Sequence, residues 1–367
     1  MATVFRTNLT NAVLYTDTSA SGLAMRFYRT PTNQFNTAFL TPTGPHPVGR
    51  FSRLLTDASR TNRFGIRTNS SFMATVWYPA QAWSVWTLSP YSDRLLAQRQ
   101  AYWGSYSVRV PALYSHGSVE APVADKPNVL PVIIYSHGLG DQQGRGVRTE
   151  NTAMVEELAS QGYVVVAIDH TDTYGTVFPP ESLVLGRNVW SFDFLNDRLK
   201  DVAFLLNLVE RWNIDDPLFQ GRLDMEHLGI MGWSFGGGTA AEACRTDARL
   251  KAAVLLDGYL GSAPTLLNTG LATPFISMNS GALLSENTTL FNKSATNAYL
   301  LSIRGASHEA FTDNSWMVTP SAASRQRALA MHACLVSFFN RYLRGADDRL
   351  LENPGAQHPD VVAFKKK

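Results

Sequence analysis

The sequence of 367 residues is poor in charge, in cysteine and in long apolar runs. Charged residues make up 17% of the chain, against about 25% in an average globular protein, and the formal net charge is +2. Lys365, Lys366 and Lys367 form a short basic run that is most simply a solvated end. We therefore expect no nucleic-acid partner and at most a peripheral contact with a membrane or lipid surface.

The two cysteines, Cys244 and Cys334, are too few for a disulfide framework and fall in predicted helices, so we expect buried free thiols. No apolar run reaches the roughly 18 residues of a membrane span. The amino terminus lacks the basic-then-apolar layout of a signal peptide. Low charge and Asn-X-Ser/Thr triplets, for example at Asn287 and Asn292, favour a mature secreted form over a cytoplasmic protein.

Hydrophobic periodicity predicts strands that alternate with helices along most of the chain. The predicted strands cover residues 72–79, 129–135, 163–168, 228–231, 252–256, 274–278 and 299–303, and the predicted helices cover residues 151–161, 195–209, 237–244 and 320–343. For the last helix we expect Thr319 as the cap, Pro320 in the first turn and Gly345 at the end. The pattern is typical of an α/β fold with a mostly parallel central sheet and helices on both faces. We assign residues 1–40 to an N-terminal extension of uncertain structure and residues 41–367 to a single domain.

The stretch Gly232-Trp233-Ser234-Phe235-Gly236 matches the G-x-S-x-G nucleophile elbow. It follows an apolar strand and precedes a helix of small residues, which is the context that the motif requires. The sharp turn holds the serine hydroxyl above the sheet, and the glycines avoid a collision with neighbouring backbone. We therefore expect Ser234 to be a nucleophile; the alternative is an ordinary glycine-rich turn between a strand and a helix.

A serine nucleophile needs a general base, and on this fold the chain order is serine, acid, histidine. Of the histidines after Ser234, His332 lies in mid-helix and His358 lies in a polar tail. His308 instead follows the predicted strand at residues 299–303. Because the chemistry of parallel sheets sits at the carboxyl ends of the strands, we expect His308 to be the base.

The best candidate for the acid is Asp257, which directly ends the predicted strand at residues 252–256. A carboxylate at this strand end, followed by Gly258, can turn towards an imidazole. The alternative is an aspartate that only ends the strand, and Glu286 and Asp313 are weaker candidates.

The oxyanion hole of such a site is expected in the loop after an earlier strand and at the residue after the nucleophile. We assign it to the backbone N–H groups of Leu139 and Phe235. A nucleotide fingerprint is the competing interpretation of Gly138 and Gly140, but the next glycine is Gly144 and the spacing is wrong. No zinc or phosphate-binding motif is complete either, so we expect no cofactor and no metal.

With these residues identified, the chain resembles the platelet-activating factor acetylhydrolase family, relatives of the plasma-type serine phospholipase A2, over roughly residues 40–345. The shared motifs are residues 43–49 (TGPHPVG), 57–60 (DASR), 77–80 (WYPA), 136–140 (SHGLG), the elbow with residues 235–237 (FGG), and 303–308 (IRGASH). The resemblance implies an α/β-hydrolase fold and a triad of Ser234, Asp257 and His308. It places the acid after the strand that follows the elbow helix, which matches Asp257.

The sequence departs from the family pattern near the site. Trp233 stands where relatives commonly carry histidine, and no long apolar helix suited to a lipoprotein surface is evident. We expect His137, Trp233, Trp83 and Trp86 as candidates for a substrate pocket, with core packing as the alternative for the last two.

Together these features predict a serine carboxylic-ester hydrolase that forms an acyl-enzyme on short-chain or small acyl esters. Its substrate would be a small-molecule or lipid ester. The alternatives are an acyltransferase, cyclase or amidase with the same triad, a cutinase-like polyester hydrolase, or a binding protein on a hydrolase fold.

Overall fold

The computed structural model describes residues 2–7, 12–17, 40–61, 70–82, 87–102, 113–141, 143–171, 175–184, 193–281, 285–318 and 321–367. The chain divides into two compact units, Met1–Gln34 and Phe35–Lys367. In the first unit, β1 (Ala2–Thr7) and β2 (Ala12–Asp17) pair in antiparallel fashion. Our division of the chain at residue 40 remains a prediction.

In its described residues, the second unit contains an eleven-stranded sheet with the order β15-β14-β13-β12-β11-β7-β8-β4-β3-β6-β5. The strands of this unit are β3 (Val48–Asp57), β4 (Ser70–Pro79), β5 (Leu88–Pro90), β6 (Tyr114–Val119), β7 (Leu130–Ser136), β8 (Val164–Ile168), β9 (Thr176–Phe178), β10 (Ser182–Val184), β11 (Leu223–Trp233), β12 (Leu250–Leu256), β13 (Phe275–Asn279), β14 (Ala298–Ile303) and β15 (Val361–Lys366). Strands β9 and β10 form a separate antiparallel pair. From β8 through β7 and β11 to β14, all neighbours are parallel, which confirms the predicted mostly parallel sheet.

Helices cover both faces of this sheet. They are α1 (Arg94–Tyr102), α2 (Thr152–Ser160), α3 (Phe194–Asp215), α4 (Phe235–Thr246), α5 (Pro264–Thr269), α6 (Ser285–Lys293), α7 (Asn314–Val318), α8 (Ala322–Arg344) and α9 (Pro354–Gln357). Apolar residues of α2 and α8 pack on one face, and those of α3, α4 and α6 pack on the other. Strand β8 is buried along its whole length because both of its faces are covered, as its unbroken apolar sequence predicts.

Each predicted strand and helix overlaps an observed one, but the start of the last helix differs from its prediction. Helix α8 begins at Ala322 with Ser321 as its N-cap, in place of the predicted Thr319 and Pro320. The Ser321 side chain accepts a hydrogen bond from the Ser324 N–H at 3.0 Å, which satisfies a donor of the first turn. At the other end Gly345 adopts a left-handed φ of 66°, as expected for a C-cap glycine.

The carboxyl-terminal tail forms an edge strand that was not predicted, while Lys365, Lys366 and Lys367 are exposed, as expected for a solvated end. Residues Val361–Lys366 form β15, which pairs antiparallel with β14. Lys366 forms an ion pair with Glu352, and the Lys367 amino group lies 5.0 Å from the centre of the Phe291 ring. The short apolar start of this strand was too weak a signal beside the lysines that follow it.

Both cysteines are buried free thiols. Among the helices that the structure describes, none combines the length and the apolar character needed to cross a bilayer.

Candidate active site

The elbow holds Ser234 between the end of β11 and the start of α4. Its backbone adopts φ 55° and ψ −119°, a strained conformation for a residue with a side chain. A Cβ atom at Gly232 would lie 2.1 Å from the Gly236 carbonyl oxygen, so the turn is this tight only because glycine is present. The Ser234 N–H donates to the Leu256 carbonyl at 3.0 Å, which ties the elbow to the neighbouring strand.

Asp257 follows β12 and pairs with His308. The Asp257 Oδ2 lies 2.6 Å from the His308 Nδ1, and its Oδ1 accepts the Ser280 N–H at 2.8 Å. The aspartate backbone has a φ of 45°, which turns the side chain out of the strand direction towards the histidine. The aspartate is 4% exposed whereas the histidine side chain is 45% exposed, so a buried carboxylate supports an imidazole open to solvent.

Trp233 contacts both His308 and the loop after β7. Its indole N–H donates to the His308 carbonyl at 3.1 Å, and the two rings lie 4.8 Å apart at 31°. A Cβ atom at Gly138 would lie 2.3 Å from the indole ring, so that glycine packs directly on the tryptophan. Trp233 is buried, at 4% exposure, and it connects the candidate base to the candidate oxyanion loop.

Buried Glu150 supports the loop from one side. Its carboxylate accepts the Gly138 N–H, the Tyr135 hydroxyl and the Gly146 N–H, each at 2.9 Å. Burial raises the pKa of Glu150 to about 7, because the charged form loses its hydration.

His137 supports the same loop from within. Its Nε2 accepts the His170 N–H at 3.0 Å, so the neutral ring carries its proton on Nδ1, which donates to the Gly138 carbonyl at 2.7 Å. Burial and the nearby Arg198 charge hold the pKa of His137 well below its usual value, which keeps the ring neutral. The ring is fully buried under the loop. Its predicted place in a substrate pocket remains a prediction.

Arg198 of α3 is a part of the site that the sequence reasoning missed. The fully buried guanidinium donates to the carbonyls of His137 and Gly138, the latter at 3.0 Å, and lies 4.8 Å from the Phe235 ring centre. A signal for it was present, because Arg198 continues the apolar stripe from Leu195 to Val202 at helical spacing. A charge on a buried stripe indicates a specific partner.

A second hydrogen-bonded chain extends from Ser136, the last residue of β7, to the motif of residues 57–60. The Ser136 hydroxyl lies 2.9 Å from the His170 Nε2, and the His170 Nδ1 lies 3.0 Å from Asp201. Asp201 in turn pairs with Arg60 at 2.8 Å, and Arg60 pairs with Asp57. The motif of residues 57–60 is therefore linked, through Asp201 and His170, to the end of the strand that precedes the loop.

The remaining candidates lie elsewhere. His332 and His358 line a surface pocket of 380 Å³ with Glu157 and Asp348, and neither Ser234 nor His308 lines it. Trp83 and Trp86 lie outside the described residues. The carboxylate beside His308 is that of Asp257, not of Glu286 or Asp313.

The parallel sheet and the strained serine between β11 and α4 define an α/β-hydrolase fold. The sequence matches the family described as platelet-activating factor acetylhydrolase, isoform II, over residues 33–178 and 206–329. The chain belongs to this family, which confirms the resemblance seen in its motifs.

Individual relatives are distant. The platelet-activating factor acetylhydrolase of Canis lupus familiaris is 24% identical over 67% of this chain and 64% of its own length, and that of Gallus gallus is 24% identical over 80% and 76%. The chain thus spans less than two thirds of the length of the dog relative. A probable 1-alkyl-2-acetylglycerophosphocholine esterase of Arthroderma benhamiae is 24% identical over 64% of this chain and 66% of its own length. A ferulic acid esterase structure from Streptomyces cinnamoneus, at 24% identity, has a TM-score of 0.73 over 89% of this chain and 98% of its own, which supports the fold.

Proposed function

We propose that the protein is a serine carboxylic-ester hydrolase that acts through an acyl-enzyme on short-chain acyl esters. The observation that carries the proposal is the 2.6 Å contact between Asp257 and His308, at the end of the strand next to the Ser234 elbow. A serine, an aspartate and a histidine that follow strands β11, β12 and β14 of one sheet form the set that activates a serine hydroxyl.

In the proposed mechanism, His308 takes the proton of Ser234 as the serine oxygen attacks the ester carbonyl. Asp257 keeps the imidazole proton on Nδ1 and stabilises the imidazolium that forms. The N–H groups of Leu139 and Phe235 bind the oxyanion, and His308 then protonates the leaving alcohol. Water, activated by His308, releases the acid and restores the serine.

The names of the relatives support a short acyl group, since they include acetylhydrolases and an acetylglycerophosphocholine esterase. The proposed substrate is therefore an acetyl or similarly short ester, of a small alcohol or of a lipid. A chain-length series of p-nitrophenyl esters, beside an oxidised phospholipid and a polyester film, tests this class. Turnover that rises with acyl length beyond about eight carbons would contradict the proposal.

The nucleophile is tested with Ser234→Ala and a matched control, Ser277→Ala, which alters a buried serine two strands away in the sheet. We expect a fluorophosphonate probe to label the wild type and Ser277→Ala but not Ser234→Ala. Esterase turnover should fall by about 10⁶-fold in Ser234→Ala. Full turnover in that variant would exclude the mechanism.

The proposal also places the mature protein outside the cell, supported by the low charge of the sequence. Its Asn-X-Ser/Thr triplets lend uneven support, because Asn287 is fully buried and its amide donates to Asn279. Fractionation of cells and medium tests this part, and protein confined to the cytoplasm would contradict it.

A further inference from the structure

We infer that Arg198 is a positioning residue for the oxyanion hole: it fixes the peptide group between Gly138 and Leu139 so that the Leu139 N–H faces the substrate. This inference rests on the proposed function, because it concerns the same acyl-transfer site.

One peptide unit joins Gly138 to Leu139. The carbonyl of Gly138 and the N–H of Leu139 belong to the same planar trans group and point in opposite directions. The carbonyl accepts from Arg198 at 3.0 Å and from the His137 Nδ1 at 2.7 Å, so both of its acceptor positions are occupied. With the carbonyl held on one side, the N–H is held on the other.

The Leu139 N–H is available for such a role. Within the part of the chain that the structure describes, it donates to no protein acceptor, and Leu139 is half-buried in the loop after β7. By contrast, the preceding N–H, that of Gly138, is bound by Glu150. The loop therefore directs one donor inward to the protein and the next donor away from it.

The same arginine contacts the residue that carries the second proposed donor. Its guanidinium lies over the Phe235 ring, at the first residue of α4, where backbone N–H groups point out of the helix end. The elbow also touches the loop, because a Cβ at Gly236 would lie 2.0 Å from the Ser136 carbonyl oxygen. Arg198 thus links the two halves of the proposed oxyanion hole.

Arginine suits this task better than lysine. Its planar fork can donate to two carbonyls at once, whereas a lysine ammonium is a compact, flexible point charge. In Arg198→Lys we expect one carbonyl to lose its donor and the peptide to gain freedom to rotate.

The matched control is Arg50→Lys. Arg50 is also buried and donates to two main-chain carbonyls, those of Pro90 at 2.6 Å and Tyr91 at 3.3 Å. It makes no contact with the loop of residues 137–140 among the described residues, so it controls for the loss of a buried arginine fork.

The test measures kcat per active site, with sites counted by fluorophosphonate titration to completion, so that any loss of folded protein cancels. We expect Arg198→Lys to lower kcat about 10²-fold with KM changed less than about threefold, and to weaken a trifluoromethyl ketone inhibitor in parallel with kcat. If the lysine variant does not fold, Arg198→Gln takes its place. Its amide can still donate to a carbonyl but lacks the planar fork, so kcat per site should fall by less than about 10²-fold. Arg50→Lys should keep kcat per site within about twofold.

The inference is overturned if Arg198→Lys and Arg198→Gln keep kcat per titrated site, or if Arg50→Lys loses as much. A loss expressed only as fewer titratable sites would also overturn it, since that is the signature of a purely structural arginine. Failure of the proposed function is a separate outcome. It would appear as full esterase turnover in Ser234→Ala, independently of the results for the Arg198 variants.

Discussion

The base side and the oxyanion side of the candidate site are held in different ways. On the base side, His308 is nearly half exposed and is fixed by one carboxylate and one indole. On the oxyanion side, the loop of residues 137–140 rests on fully buried His137 and Arg198 and on buried Glu150, which bind the Gly138 peptide groups from both sides.

This difference matches what each side has to do in the proposed reaction. The base must exchange protons with serine, leaving group and water, so it has to be reachable. The oxyanion donors are most effective when they are already oriented before charge develops, so they benefit from a rigid, buried support. We therefore expect changes on the base side to affect turnover with little loss of stability, and changes on the oxyanion side to affect both.

Among the residues that support the two sides, the largest effect is expected from Asp257→Asn. An asparagine can present its oxygen to the Ser280 N–H and its amide N–H to His308, which moves the imidazole proton to the wrong nitrogen. Turnover should fall about 10⁴-fold, as in serine proteases, while the urea midpoint changes little because asparagine tolerates the positive φ.

The matched control is Asp313→Asn, also in a buried aspartate. Burial raises the pKa of Asp313 well above its usual value, and its carboxyl oxygens accept the Ala153 N–H at 3.3 Å and do not contact His308. Its turnover should stay within a fewfold of wild type. Equal losses in both variants would mean that Asp257 has no special relation to His308.

The next effect in size is expected from Gly138→Ala, which tests how the two sides are coupled. The added methyl group would meet the indole of Trp233, whose N–H is bound to His308. We expect turnover to fall by 10²–10³-fold, the loss of about one oxyanion donor, together with a lower urea midpoint.

A smaller ring at position 233 should relieve this clash. The double variant Gly138→Ala with Trp233→His should recover part of the turnover lost in Gly138→Ala. If the two losses simply multiply, the methyl group acts on the loop alone and the coupling through Trp233 is absent.

The sequence predicted those parts of the site that depend on local signals. Ser234 has a motif, and Asp257 and His308 each follow a strongly apolar strand, so their positions at the carboxyl edge follow from the parallel sheet. The strands themselves were predictable because burial on both faces selects continuous apolar runs. The roles of these residues remain part of the proposal.

The support of the oxyanion loop was not predictable in this way. Arg198 is about 60 positions from the carbonyls it binds, and its partners are main-chain atoms that leave no mark in the sequence. The tail strand β15 was missed for a related reason, since its pairing with β14 is long-range and lysines dominate its end. Local patterns report periodicity, whereas such contacts depend on the completed fold.

A moderate effect is expected from Trp233→Phe, on the base side. The change removes the hydrogen bond to the His308 carbonyl and reduces the ring contact that favours the imidazolium form of His308. We expect the transition state to lose about 1 kcal/mol of stabilisation, which is roughly fivefold in kcat. Trp212→Phe, in a buried tryptophan of α3, is the matched control and should keep wild-type kcat. A change in KM alone would instead assign Trp233 to substrate binding.

The smallest effect on turnover, and the clearest on stability, is expected from Glu150→Gln on the oxyanion side. Burial raises the pKa of Glu150 from 4.5 to about 7, so between these values the folded protein binds a proton that the unfolded chain has released. The stabilisation is complete below pH 4.5 and is lost as pH rises through 7, by on the order of 3 kcal/mol. Urea titrations at pH 5 and pH 8 should show this loss in the wild type and not in Glu150→Gln, whose oxygen can still accept the Gly138 N–H. Equal pH dependence in the two proteins would mean that Glu150 stays ionised across this range. The three groups that donate hydrogen bonds to its carboxylate would then lower its pKa by more than burial raises it.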